Sequence, residues 1–103
     1  MIWIDKPQTY QVKHLMRGRK FTSSHLFSDK PGKQGTRELI TFAAKIGLKP
    51  EWLQKPGTYQ EHFDVMNARY GLAIQEGAQK AGMRKELETM LAKRPSLARV
   101  LDV

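Results

Sequence analysis

No cysteine occurs among the 103 residues of this chain. That removes disulfides, thiolate metal ligands and cysteine nucleophiles from consideration, and it agrees with a reducing compartment. No apolar run approaches the roughly 18–20 residues that a membrane span needs. The opening Met1-Ile2-Trp3-Ile4-Asp5-Lys6-Pro7 has no basic segment followed by an apolar stretch, so it does not read as a secretion signal. The expectation is a cytoplasmic protein with no membrane partner. A Walker-type or dinucleotide-type glycine loop is missing, as is a nucleophile elbow. Acidic residues are scarce, ten against eighteen lysines and arginines, which leaves a net charge of +8.

The positive charge is uneven. Residues 1–35 hold seven Lys/Arg and two Asp/Glu, whereas residues 61–81 hold two and three. A surplus concentrated in one stretch attracts phosphate polyanions by counterion release. Nucleic acid or a nucleotide is therefore a candidate partner. The simpler account of the same charge is solubility.

The length fits one domain with a thin core. Ile2-Trp3-Ile4 reads as a short strand and Phe21–Phe27 as a second. Lys6 to Lys20 shows no period and reads as a basic loop. Pro31-Gly32 marks a turn, after which Thr36 can cap a helix, with Glu38 in its first turn. Leu39, Phe42, Ala43 and Ile46 recur at helical spacing, and Gly47 suits the helix end. Pro50 opens a short helix over Glu51–Gln54. Asp64 can cap a longer one running to about Ala81, with Met66, Tyr70, Ala73, Ile74 and Gly77 as its stripe. Met83, Leu87, Met90 and Leu91 mark a last amphipathic helix, and Pro95 breaks it. The fold class expected is α+β: a short two-stranded sheet, or one slightly larger, at the N-terminus, packed against three to four helices. Residues 1–82 form the domain and 83–103 a C-terminal helical extension packed on it.

Three groups of residues can carry chemistry. His25, Asp29, His62 and Asp64, with Asp5 as a fifth, combine imidazole and carboxylate. Such groups serve as general base with orienting acid, or as ligands to a divalent metal. Against that, Asp64 is explained as a helix cap and Asp29 as a turn residue. Lys13, His14, Arg17, Arg19 and Lys20 form a basic run in which Gly18 permits close approach to a phosphate. The aromatics Trp3, Trp52, Tyr59 and Phe63 suit base stacking, although tryptophans in a thin core are more often buried. Trp52 beside Gln54 is the best exception. A helix-turn-helix over residues 36–54 is rejected because its second helix is too short to read a major groove.

The ordered motifs resemble a family. They are the opening strand ending in Asp5, His25-Leu26-Phe27-Ser28-Asp29, Glu38-Leu39, Phe42-Ala43-Ala44-Lys45-Ile46-Gly47-Leu48, Trp52-Leu53-Gln54, His62-Phe63-Asp64, Arg69 and Gly77-Ala78. Over Met1 to Ala78 the chain resembles the small bacterial and phage proteins grouped as domain of unknown function 4031. Members usually show His-Tyr-Asp where this chain has His62-Phe63-Asp64, and often a second acid where Lys6 stands. The lost acid weakens any metal site built around Asp5. The resemblance implies that His25, Asp29, Trp52, Gln54, His62, Asp64 and Arg69 share one pattern, more suggestive of a site than of a core. It makes the helix from Met83 look like an addition.

Three functions compete. The leading expectation is a nucleic-acid-associated accessory protein, with Lys13, Arg17, Arg19, Lys20, Arg37 and Arg69 on phosphates, the His/Asp pocket recognising an end or a base, and Trp52 and Gln54 in recognition and stacking. The alternative is a small phosphodiester or nucleotide hydrolase using His25, Asp29, His62 and Asp64, with Arg69 as an anion clamp. The third is a phage protein that binds and modulates a host protein through the helix from Met83.

Overall fold

A computed structural model describes residues 1–11, 20–66 and 68–94. The five strands are β1 (Ile2–Asp5), β2 (Gln8–Gln11), β3 (Lys20–Ser28), β4 (Phe63–Met66) and β5 (Gln79–Ala81). Among the described residues the helices are α1 (Gly32–Lys45), α2 (Arg69–Gln75) and α3 (Met83–Lys93), with a 3-10 turn at Pro50–Trp52. No helix among the described residues is long and apolar enough to cross a membrane.

β3 is the axis of the sheet. Ser23 pairs with Gln8 of β2 and also with Met66 of β4, while Leu26 pairs with Ile4 of β1 and with Phe63 of β4. A residue with two partners has one on each side. β1 and β2 therefore lie end to end on one edge of β3, and β4 lies on the other. β5 adds to β1 in parallel. All other pairings are antiparallel. α2 carries the chain from β4 at one edge across to β5 at the other.

The register slips by one residue between β1 and β2. Ile4 faces Leu26, but Gln8 faces Ser23. Continuing the first register sets Asp5 opposite His25, so Lys6 and Pro7 together stand against Ser24 alone. This is a β-bulge, the device by which an extra residue re-aims a side chain. Pro7 suits it because a bulged residue owes no ladder hydrogen bond.

Strand alternation sorts the side chains onto two faces. Ile2, Ile4, Leu26, Phe63 and Val65 point to one face and pack with Leu39, Phe42, Ala43 and Ile46 of α1, Leu48, and Ala73 of α2. Ile4, Leu26, Leu39 and Phe63 are wholly buried, each contributing about 1.5–3 kcal/mol of apolar burial. Trp3, Asp5, His25, Phe27 and Asp64 alternate onto the opposite face, the one α3 approaches through Glu86, Lys85 and Lys93. The Lys85 ammonium sits 4.6 Å from the Trp3 ring centre, and Lys93 Nζ donates to the Ser28 carbonyl at 2.7 Å.

Several expectations change. The sheet is five-stranded and reaches well past the N-terminus. Among the described residues the helices number three, beside the 3-10 turn, within the three to four expected. β2 lies in a stretch without period because its pairing comes from β3. Asp64 caps nothing and sits inside β4, and the long helix expected to reach Ala81 is a strand, a two-turn helix and another strand. Tyr70, Ala73 and Ile74 do pack on the core, while Met66 is exposed. α1 begins four residues before Thr36, with Pro31 at its cap and no capping side chain. The Thr36 hydroxyl lies 2.6 Å from Glu61 and 3.3 Å from the Gly32 carbonyl. Gly47 follows the helix with φ +82°, as its end requires. On α3 the apolar rungs Met83, Leu87 and Leu91 are 75%, 58% and 46% exposed, so they face away from the sheet.

Gly35 is fixed by space. A Cβ there would collide with the Lys30 carbonyl oxygen, a backbone atom that cannot rotate aside. Gly35→Ala is expected to destabilise the fold by about 2–3 kcal/mol through overpacking. A urea titration followed by circular dichroism measures it, with Gly71→Ala, where a Cβ meets open space, as the reference.

Candidate active site

The sheet face under α3 gathers five titratable side chains. His25 is at its centre, midway along β3. Asp5 reaches it across the bulge, Asp64 across the β3–β4 pairing and Glu86 from the first turn of α3. His62 enters just before β4, where its backbone forms a two-bond bridge with Gln54 (2.8 and 3.2 Å).

Asp5 grips His25 twice. Its Oδ1 accepts the His25 backbone N–H at 2.6 Å, and its Oδ2 lies 3.0 Å from the ring Nδ1. The same Nδ1 is 2.9 Å from Glu86 Oε1. The other nitrogen, Nε2, looks toward Asp64 Oδ1 at 4.0 Å. His62 is disposed alike. Its Nδ1 donates to the Gln60 carbonyl at 2.8 Å, and its Nε2 lies 3.5 Å from the same Asp64 Oδ1. The two rings meet edge to face with centres 4.6 Å apart.

A carbonyl only accepts, so the Gln60 contact places the His62 proton on Nδ1 and leaves Nε2 as the lone-pair nitrogen of the neutral ring. The carboxylates at His25 Nδ1 act in the same sense. Each ring thus has its inner nitrogen engaged and its outer nitrogen directed at Asp64. Acceptors behind a histidine ring are the customary way to fix a ring that ligates a metal.

One ligand atom each from His25, His62 and Asp64 lies within 4.8 Å of the others. Bonds of 2.0–2.1 Å in a tetrahedron put neighbouring ligand atoms ~3.3 Å apart, so small side-chain rotations close this group on an ion. Asp5, His25 and Glu86 form a second such group, joined to the first through the His25 ring.

Electrostatics follow the contacts. Asp5, then Glu86, stabilise the imidazolium and raise the His25 pKa to about 10, against the opposing effect of burial. Burial pushes the Asp5 carboxyl up, but hydrogen bonds from the His25 ring, Glu86 and the His25 backbone hold it below the usual range. Glu86 is raised, first by burial and then by the Asp5 carboxyl, with His25 opposing. A metal on Nε2 replaces a proton there, so carboxylates that favour the imidazolium also strengthen the ring as a ligand.

The other candidates lie elsewhere. Asp29 accepts from the N-terminal ammonium (2.9 Å) and from Trp3 Nε1 (3.1 Å). Arg69 lies alongside Gly47, its Nε 3.8 Å from where a Cβ on that glycine would stand. That places its cation near the C-terminal end of α1. Trp52 is 44% exposed, with Lys49 over its ring at 5.6 Å. Gln54 serves through its backbone. Phe63 is core and Trp3 half-buried. Lys13, His14, Arg17 and Arg19 lie outside the described residues, and of Lys20 the backbone alone is described, at the start of β3. Glu86 is the member that sequence reading missed. Its signal was a single acid on the polar side of an amphipathic helix, indistinguishable from a solvated residue.

The fold and this face define a small α+β protein with an imidazole–carboxylate cluster on one side of a mixed sheet. The chain belongs to the protein family of unknown function DUF4031, whose model matches residues 2–94. The match takes in α3, so the helix that supplies Glu86 falls within the family's span rather than after it. Neither the curated proteins nor the solved structures provide a match.

The sign of the pH dependence follows from His25. Its pKa is higher folded than unfolded, so its contribution to stability is complete below about pH 6.5 and is lost as pH rises through about 10. In the presence of a chelator, the urea midpoint is expected to fall over that window in the wild type. In His25→Gln the fall is expected to be smaller.

Proposed function

We propose that this protein is a divalent-metal-dependent hydrolase of phosphodiester or nucleotide substrates, with His25, His62 and Asp64 as the protein ligands. One observation carries the reading: two histidines turn their outer nitrogens to one carboxylate oxygen while acceptors hold both inner nitrogens. Three protein ligands leave coordination positions open, as hydrolytic sites need and closed structural sites do not. Asp64 is 39% exposed on its side chain, which leaves the group open to substrate.

An ion held there supplies a bound water of lowered pKa and polarises a phosphoryl oxygen. The chain's own part is positional. The Asp5 carboxylate and Glu86 hold the His25 ring, and the Gln60 carbonyl holds that of His62. Asp64, anchored on β4, brings negative charge between the two rings. A phosphate substrate suits a chain of net charge +8. The same surplus supports the wider reading of a nucleic-acid-associated protein, of which this hydrolase is the more specific form. The exposed rungs of α3 support the reading of a partner-binding protein, which names no chemistry for the histidines.

Calorimetry with Zn²⁺ and Mn²⁺ on chelator-treated protein, paired with hydrolysis of bis(p-nitrophenyl) phosphate, tests the proposal. One ion per chain and metal-dependent turnover are expected. His62→Ala or Asp64→Ala should abolish both with the fold intact by circular dichroism. Glu86→Gln should weaken the ion about 10–100-fold, as loss of an outer-shell partner does. A wild-type chain that binds neither ion sinks the reading.

A further inference from the structure

A second concave site lies at the other end of α3, apart from the imidazole cluster. Glu86 and Lys93 are seven residues apart on that helix, about 10 Å along its axis. At the Lys93 end a cavity of about 400 Å³ opens among the turn after β3, the start of α1 and the loop before β4. Lys30, Lys33 and Lys93 line it, together with Thr36, Tyr59 and Glu61.

The charge in this cavity is unbalanced. Three ammonium groups meet one carboxylate, and that carboxylate is committed. Glu61 is buried, with one oxygen 2.6 Å from the Thr36 hydroxyl and the other accepting the Gly57 N–H at 3.0 Å. It ties the 57–61 loop to α1 and shapes the wall. Among the described residues, no acid lies within ion-pair distance of Lys30, Lys33 or Lys93. Lys93 is half-buried and steadied by the Ser28 carbonyl, with Glu61 and Asp29 acting on its charge only from beyond ion-pair distance. The first turn of α1 has no capping side chain and no acid, so its amide dipoles add to the same positive field.

We propose that this cavity binds the phosphate of a nucleotide-sized ligand. Lysines act as point-charge donors to phosphate, and a volume of this order is in the range of small-molecule sites. A phosphate fills a fraction of it. The remainder lies against Tyr59, whose ring offers an aromatic surface to a base or sugar. The proposal is independent of the metal centre, since none of the cavity's lining residues belongs to the imidazole cluster.

The test is a ¹H–¹⁵N correlation titration of the full chain with inorganic phosphate and with AMP. It is run with chelator present and at constant ionic strength, so that failure of the metal reading leaves it unaffected. Saturable shifts are expected at the amides of Gly32, Lys33 and Gln34. The double variant Lys30→Gln/Lys33→Gln is expected to weaken phosphate at least tenfold while its spectrum stays folded. AMP binding more tightly than phosphate assigns the ligand as a nucleotide. Equal affinities keep the phosphate site and remove the role of Tyr59. Shifts that are absent, that fail to saturate, or that persist unchanged in the double variant overturn the proposal.

Discussion

Asp5 is the residue on which the candidate site hangs. It is 7% exposed and sits where the first edge of the sheet loses register. One of its oxygens accepts the backbone N–H of His25 and the other faces that residue's ring. The first contact does for the sheet what a main-chain carbonyl would have done, so the bulge leaves no orphaned donor on β3. The second orients the imidazole. A single carboxylate thus satisfies the backbone at an irregularity and aims the functional side chain beside it. An amide at this position keeps an acceptor for the backbone but loses the charge that holds His25 protonated at Nδ1.

Glu86 extends the arrangement to a second element. Because α3 brings a carboxyl to the same ring nitrogen, the helix is tied to the sheet through a polar contact rather than an apolar seam. This explains an otherwise odd helix, whose Met83, Leu87 and Leu91 look outward while Glu86 and Lys93 face in. Two carboxyls in close approach repel unless a proton or cation lies between them. The imidazolium of His25 supplies that charge, which is why its pKa rises while Asp5 falls. The cluster is a coupled unit, and removing any member alters the others.

Much of the core was legible. Leu39, Phe42, Ala43 and Ile46 declare α1 by their spacing, and Gly47 declares its end, because helix periodicity and left-handed glycine are local properties. His25, His62 and Asp64 stood out because imidazole and carboxylate carry chemistry in any fold. Their ordered motifs already resembled the family to which the chain belongs. The partition of residues 62–81 was not legible. Asp64 before a run of helix formers has the form of a cap, and a four-residue strand at a sheet edge is decided by the partner across from it. β2 and β5 were hidden for the same reason. Both are short and polar, and each takes its conformation from a ladder whose other half is distant in the chain.

By itself, then, the sequence determined the class of the protein: a cysteine-free, basic α+β domain with a helical stripe and a small set of imidazoles and acids. These follow from composition and from periodicities that act over a turn or a strand. Tertiary structure alone decided which acids meet which histidine. Asp29 was drawn to the N-terminal ammonium and Arg69 to the end of α1, while Asp5 and Glu86, twenty and sixty-one residues from His25 along the chain, were delivered to one ring by a bulge and a helix crossing. Strand register sets such meetings, and register depends on pairings across the whole chain that no short stretch contains.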